Sequence, residues 1–230
     1  MKIIDAHSHI DYISHIKQPD VVGTVVCTTN ESEWVRVENI TVDDICVYGA
    51  FGVHPWFAGS VDFGFESRLK DLLQNNSDYM LGEIGLDKNK PNMEKQIDVF
   101  QKQFDIAIEL KRTVFIHCVG AWDKILHILK QYKKSELPIM VFHAFNGGND
   151  IIKNLLKFYE NNVFFSFGKN ALYDDFWCIT RIPDDKILVE SDGNTDVNLR
   201  VIINKISKIK NNSNMSEVIY NNTQKVLVNG

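Results

Sequence analysis

Along the chain, short apolar runs rich in β-branched residues alternate with longer stretches in which apolar positions recur every three to four residues. The short runs fall at residues 2–6, 21–27, 45–52, 79–84, 113–117, 139–143, 163–167 and 186–190. Each has the length and composition of a strand buried on both faces. Between them, Ile97, Phe100, Phe104, Ala107 and Ile108 line one face of residues 93–111 at helical spacing. Trp122, Ile125, Leu126, Leu129 and Tyr132 do the same after the fifth run. Ile151, Ile152, Leu155, Leu156 and Tyr159 follow the sixth, and Leu199, Ile202, Ile203, Ile206 and Ile209 the eighth. Two spacers are weaker: residues 30–39 offer only Trp34, Val35 and Val37 as anchors, and residues 173–182 have room only for a short helix.

Strands alternating with helices predict a parallel sheet with right-handed crossovers. Eight of them within residues 2–190 favour closure into a (β/α)₈ TIM barrel, an α/β fold, with residues 1–230 as a single domain. Periodicity alone leaves an open, doubly wound sheet possible. Where the chemistry-bearing residues fall decides between the two.

His7 and His9 close the first run, Glu83 the fourth, His117 the fifth and His143 the sixth, while Asp192 follows the eighth. In a barrel those ends converge on one face, where active sites are built. Residues two apart on a strand share a face, so the imidazoles of His7 and His9 can reach one ion. Gly82 and Gly85 bracket Glu83 and permit a close backbone approach there. A carboxylate bridging two cations would hold them ~3.5–4 Å apart, and no lysine ends the fourth run to take that part. Glu190 shares parity with Asp192 and reads as a partner that fixes a ligand or a lysine. His54, which ends the third run, reads as a substrate or phosphate contact. Imidazole and carboxylate without thiolate suit two divalent ions drawn from Zn, Mn, Fe or Co, with Mg possible at a carboxylate-rich subsite.

Composition narrows the partners. The net charge of −5 speaks against a broad basic face for gripping nucleic acid, although bound cations can supply positive charge where a phosphate sits. No apolar run approaches the ~18–20 residues of a membrane span, so no membrane association is expected. The first apolar stretch is broken at once by Asp5 and His7, unlike a signal peptide, and a cytoplasmic location is the expectation. Cys27, Cys46, Cys118 and Cys178 are scattered without a CxxC pair, which predicts reduced thiols. No obligate protein partner is indicated.

Several motifs taken in order resemble the TatD family of metal-dependent deoxyribonucleases among the amidohydrolase-like barrels. They are Asp5-Ala-His-Ser-His-Ile-Asp11, Gly52-Val-His-Pro, Leu81-Gly-Glu-Ile-Gly-Leu-Asp87, Phe115-Ile-His-Cys118, Val141-Phe-His-Ala-Phe-Asn-Gly147, Leu188-Val-Glu-Ser-Asp192 and a closing Asn221-Asn-Thr223. The resemblance implies that His7, His9, Glu83, His117, His143 and Asp192 are the ligands of two divalent ions. The chain departs from the family after the eighth run. Ser191 stands where the family has threonine, no proline follows Asp192, and the family's Asn-Glu-Pro loop is missing.

The expected activity is hydrolysis by a two-metal phosphodiesterase acting on DNA from an end. A metal-bound hydroxide would be the nucleophile and Asp192 the proton acceptor, with Glu83 in a catalytic bridging role. Two alternatives stand beside it. One is a hydrolase of a small ester, amide or phosphoester on the same fold; the other is a non-catalytic metal-binding protein.

Overall fold

The structure is a computed structural model that describes residues 1–15, 18–40, 42, 45–173 and 177–228. Each of the eight apolar runs forms a strand: β1 (Ile3–Ser8), β2 (Val21–Cys27), β3 (Cys46–Phe51), β4 (Met80–Asp87), β5 (Val114–Val119), β6 (Met140–Phe142), β7 (Val163–Phe167) and β8 (Ile187–Val189). They are hydrogen-bonded in sequence order, and every ladder is parallel. Helices fill the spacers: α1 (Trp34–Glu38), α2 (Phe65–Asn75), α3 (Met93–Leu110), α4 (Trp122–Leu129), α5 (Asn149–Tyr159), α6 (Leu199–Lys210) and α7 (Met215–Val228). The weak second spacer holds only the five-residue α1, and the spacer before β8 holds a 3₁₀ turn at Trp177–Arg181.

Two hydrophobic layers result. Ala6, Val25, Ala50, Met80, Phe115, Val141, Phe164 and Leu188, one from each strand, belong to the smaller cluster that fills the barrel. The larger cluster packs the outer strand faces against the helices, with Phe100 and Phe104 of α3, Leu155 of α5 and Ile202 of α6 fully buried.

β1 and β8 share no ladder in the strand order. Side chain and backbone sew that seam instead: the Ser191 N–H donates to Asp5 Oδ1 at 2.9 Å, and the Asp192 N–H donates to His7 O at 3.0 Å. Burial pushes the Asp5 carboxyl up to about 7, against the hydrogen bonds it accepts from Ser191 and His7. At the opposite end α7 is anchored by Asn222, which donates to the carbonyls of Asp184 (2.8 Å) and Ile187 (3.0 Å). Within the closing Asn221-Asn-Thr223, Asn222 and Thr223 are buried and Asn221 is exposed. No described helix is long and apolar enough to cross a membrane.

Candidate metal centre

Glu83 is the hub. It lies on β4, 2% exposed, and its two carboxylate oxygens look in different directions. Oε2 is 3.2 Å from His7 Nε2 and 3.7 Å from His9 Nε2. Oε1 is 2.9 Å from His117 Nδ1, 2.8 Å from His143 Nε2 and 3.2 Å from His54 Nε2. Asp192 Oδ1 completes the first half, 3.4 Å from His9 Nε2 and 3.7 Å from His7 Nε2. The six residues expected as ligands therefore meet at one end of the barrel, and His54 joins them.

Backbone geometry puts them there. Gly85 has φ +150°, and a Cβ at this position would lie 1.9 Å from the His117 carbonyl oxygen. Only glycine lets β4 run this close to β5, and that approach brings Glu83 beside His117. On β6 and β8 the strands stop after three residues, because Ala144 (φ 41°) and Asp192 (φ 51°) turn into the left-handed region. Both residues pay steric strain for this, as side chains do when a site over-determines the backbone. The Ala144 N–H donates to Glu190 Oε1 at 2.7 Å, which holds the first of these turns.

The orientation of each ring separates ligands from donors. His9 Nδ1 is 3.1 Å from the Cys27 carbonyl and His143 Nδ1 is 3.4 Å from Glu190 Oε1. Both partners are acceptors, so Nδ1 is the nitrogen that keeps its proton when a cation displaces the one on Nε2, which faces the centre. His54 is the reverse. Its Nδ1 accepts the Trp56 N–H at 3.2 Å, which places the ring proton on Nε2. Gln103 of α3 clamps the adjoining strand end, accepting from Val53 N at 2.7 Å and donating to Val53 O at 3.1 Å. A neutral imidazole so held donates a hydrogen bond through Nε2 and cannot coordinate through it.

Charge follows the same plan. Burial alone would raise the Glu83 carboxyl, but His143, His54 and His7 outweigh it and hold the group well below the usual carboxylate range. Burial would lower His143, yet Glu83 and Glu190 raise it well above ordinary histidine. His9 is raised to about 9 as Asp192 and Glu83 overcome its burial. His7 and His54 are lowered, chiefly by burial. Asp192 is lowered because its hydrogen bond with His9 and the charges of His143 and His7 overcome burial. Its side chain is 46% exposed and stands at the mouth.

These residues fit divalent cations. Two clusters, His7/Glu83/His143 and His7/His9/Asp192, each bring ligand atoms within 4.8 Å of one another; Glu83 and His117 lie as close to His54, which faces them through its donor Nε2. His7 Nδ1 and Nε2 and His117 Nε2 are buried without a hydrogen-bond partner. Buried polar atoms left so are costly unless a ligand or ion meets them. The donor set is imidazole and carboxylate throughout. Cys118, next to His117, points into the outer core with its thiol pushed up to about 12 by burial, and takes no part.

Two neighbours of the centre were not legible as a pair. Asp87 is buried and accepts the Trp56 indole N–H at 2.7 Å on Oδ2, and the same oxygen lies 3.7 Å from His117 Nε2. Trp56 itself is 54% exposed. A tryptophan directly after the His-Pro at a strand end was the available signal. Lys169 is exposed on the 3₁₀ turn after β7.

The model of a family described as TatD related DNase matches residues 4–228. The chain is 33% identical over 165 residues to the human 3′-5′ RNA nuclease TATDN2; the match covers 68% of this chain and 21% of that much longer protein. It is 27% identical to the metal-dependent hydrolase MJ1582 of Methanocaldococcus jannaschii, covering 98% of this chain and 96% of the relative. In fold it is similar to the crystal structure of YJJV, a TatD homologue from Escherichia coli, with a TM-score of 0.83, 21% identity and 97% of each chain covered.

Proposed function

Since this chain belongs to the TatD-related DNase family and is a metal-dependent hydrolase, we propose that it is a two-metal phosphodiesterase that trims DNA or RNA from a strand end. The observation that carries this reading is the split hub of Glu83. Oε2 serves the half built by His7, His9 and Asp192, and Oε1 the half built by His117 and His143. Those six side chains would hold the two ions, from the set Zn, Mn, Fe, Co or Mg. When bound, the ions polarise the scissile phosphoryl group and make a water acidic enough to attack near neutral pH.

The chain's own residues do the rest. Asp192, lowered and half-exposed at the mouth, is ionised at neutral pH and takes the proton of the attacking water. His54, with its proton on Nε2, donates to a phosphate oxygen that enters beside Glu83. Glu190 fixes His143 through Nδ1 and does not itself reach a metal position. Both the family's name and the human relative's point to nucleic acid.

A second reading, hydrolysis of a small ester, amide or phosphoester, draws on one observation: among the described residues no lysine or arginine lines the mouth. One experiment separates the two. The metal-loaded protein and Asp192→Asn are compared on single-stranded DNA, RNA and small esters. We expect wild type to prefer nucleic acid and the variant to lose ~10²–10⁴-fold in kcat while keeping its fold. Robust turnover of a small ester or amide with no strand cleavage would overturn the nuclease reading in favour of the second.

A further inference from the structure

The chemistry above leaves Trp56 without a task, although it is 54% exposed and lines the approach to the metal centre. The ring is not loose. Its N–H is tied to Asp87 Oδ2 (2.7 Å), its ring and that of His54 meet in a T shape with centroids 5.0 Å apart at 84°, and Lys90 Nζ stands 4.0 Å from the ring centroid. Asp87 is in turn fixed by the Asn89 N–H at 2.8 Å. An indole immobilised in this way loses little freedom when something stacks on it. On the β1 side of the same mouth, Tyr12 is 46% exposed and packs on Gly193, where a Cβ would lie only 2.7 Å from its ring.

The mouth encloses about 570 Å³, the volume of a small-molecule site and not of a duplex groove. Glu83 is 2% exposed at its floor, so a phosphodiester must be carried inward to reach it. A base still paired to a complementary strand cannot follow. Glu83 and Asp192 are among the residues that would hold the ions, and Asp11 and Glu33 add two more carboxylates to the lining, so positive charge for a phosphate is confined to the metal positions. Affinity beyond that one phosphate must come from a surface indifferent to charge, and every base has a π-face that an aromatic ring can meet.

We propose that Trp56, aided by Tyr12, is the stacking platform that seats the unpaired terminal base beside the scissile phosphodiester. The inference rests on the nuclease reading above and adds the residues that select a single-stranded end. Trp56 binds and orients the base; it exchanges no proton with the reacting atoms.

The test uses a short single strand ending in either an ordinary nucleoside or an abasic residue, with metal-loaded wild type, Trp56→Phe and Trp56→Ala. The ratio of kcat/KM on the base-bearing end to that on the abasic end reads stacking alone. We expect this ratio to fall about tenfold or more in Trp56→Ala, chiefly through KM, and to stay near wild type in Trp56→Phe. A ratio unchanged in Trp56→Ala would overturn the platform, whether or not overall activity drops. So would a loss confined to kcat. Failure of the underlying reading looks different: wild type would cleave neither strand while turning over a small ester or amide.

Discussion

At His9 the backbone-side ring nitrogen faces a carbonyl, whereas at His54 it faces an N–H, and on the proposed reading that difference gives one to metal and the other to substrate. The sequence could place both histidines at strand ends but could not show which nitrogen each presents, because ring orientation depends on partners distant in the chain. From sequence, His54 reads as a substrate or phosphate contact by its place at the end of the third run. Its geometry supplies a physical reason for the same role. The raised histidines carry a further consequence. In the metal-free protein His9, at about 9, and His143, higher than ordinary histidine, hold protons at neutral pH. A cation must displace them, so metal affinity is expected to strengthen as pH rises from 6.5 toward about 9. Calorimetric titration with Mn²⁺ or Zn²⁺ at pH 7, in buffers of different ionisation enthalpy, should show about one or more protons released per protein. Uptake with no proton release would sink this account.

At the level of elements, the site depends on how closely β4 and β5 approach. Gly85→Ala drives a methyl against the His117 carbonyl at a φ that side chains avoid, and it does so beneath the hub carboxylate. The expected cost is at least ~1–3 kcal/mol from backbone strain alone, with metal binding impaired alongside. Gly148, which precedes α5, is the control: its added Cβ meets nothing within 4 Å, and Ala there should change stability by only a few tenths of a kcal/mol. Thermal melts of the two variants check both; equal melting points would refute the close-approach argument. This contrast also marks what was legible. Gly82 and Gly85 around Glu83 announced a tight passage, while the partner they make room for was invisible until the ladders were known. Seven of the eight apolar runs became strands buried on both faces and read as continuous hydrophobicity, while β3 is partly open to solvent over its first four residues. Strand ends were less readable. β6 and β8 stop early at Ala144 and Asp192, where hydrogen bonds from other elements impose left-handed turns that no local pattern records. The helix α2 carries Phe65, Leu69 and Leu73 inward, but the charges between them dilute its periodicity and it was not singled out.

Over the whole molecule, charge and shape constrain how a nucleic acid can be held. The chain carries a net −5, and the pocket over the metal centre is lined by carboxylates, imidazoles and aromatic rings, with no lysine or arginine among the described residues. Proteins that track a nucleic-acid backbone through six to ten phosphate contacts lose ~10³–10⁵-fold in affinity between 50 and 200 mM salt. A site that grips one end through two ions and a stacked base neutralises only one or two phosphates. For a single strand, the slope of log kcat/KM against log salt should then lie between about −0.7 and −1.4, a loss of about three- to sevenfold over the same range. Strand length should matter little for the same reason, since phosphates beyond the mouth meet no cationic track in the pocket. The measurement is kcat/KM on a short and a long single strand at fixed, saturating metal, across that salt range. A steep slope, or a rate that climbs with each added nucleotide, would mean that basic residues outside the pocket guide the strand. The end-gripping geometry would then have to give way to a groove along the surface.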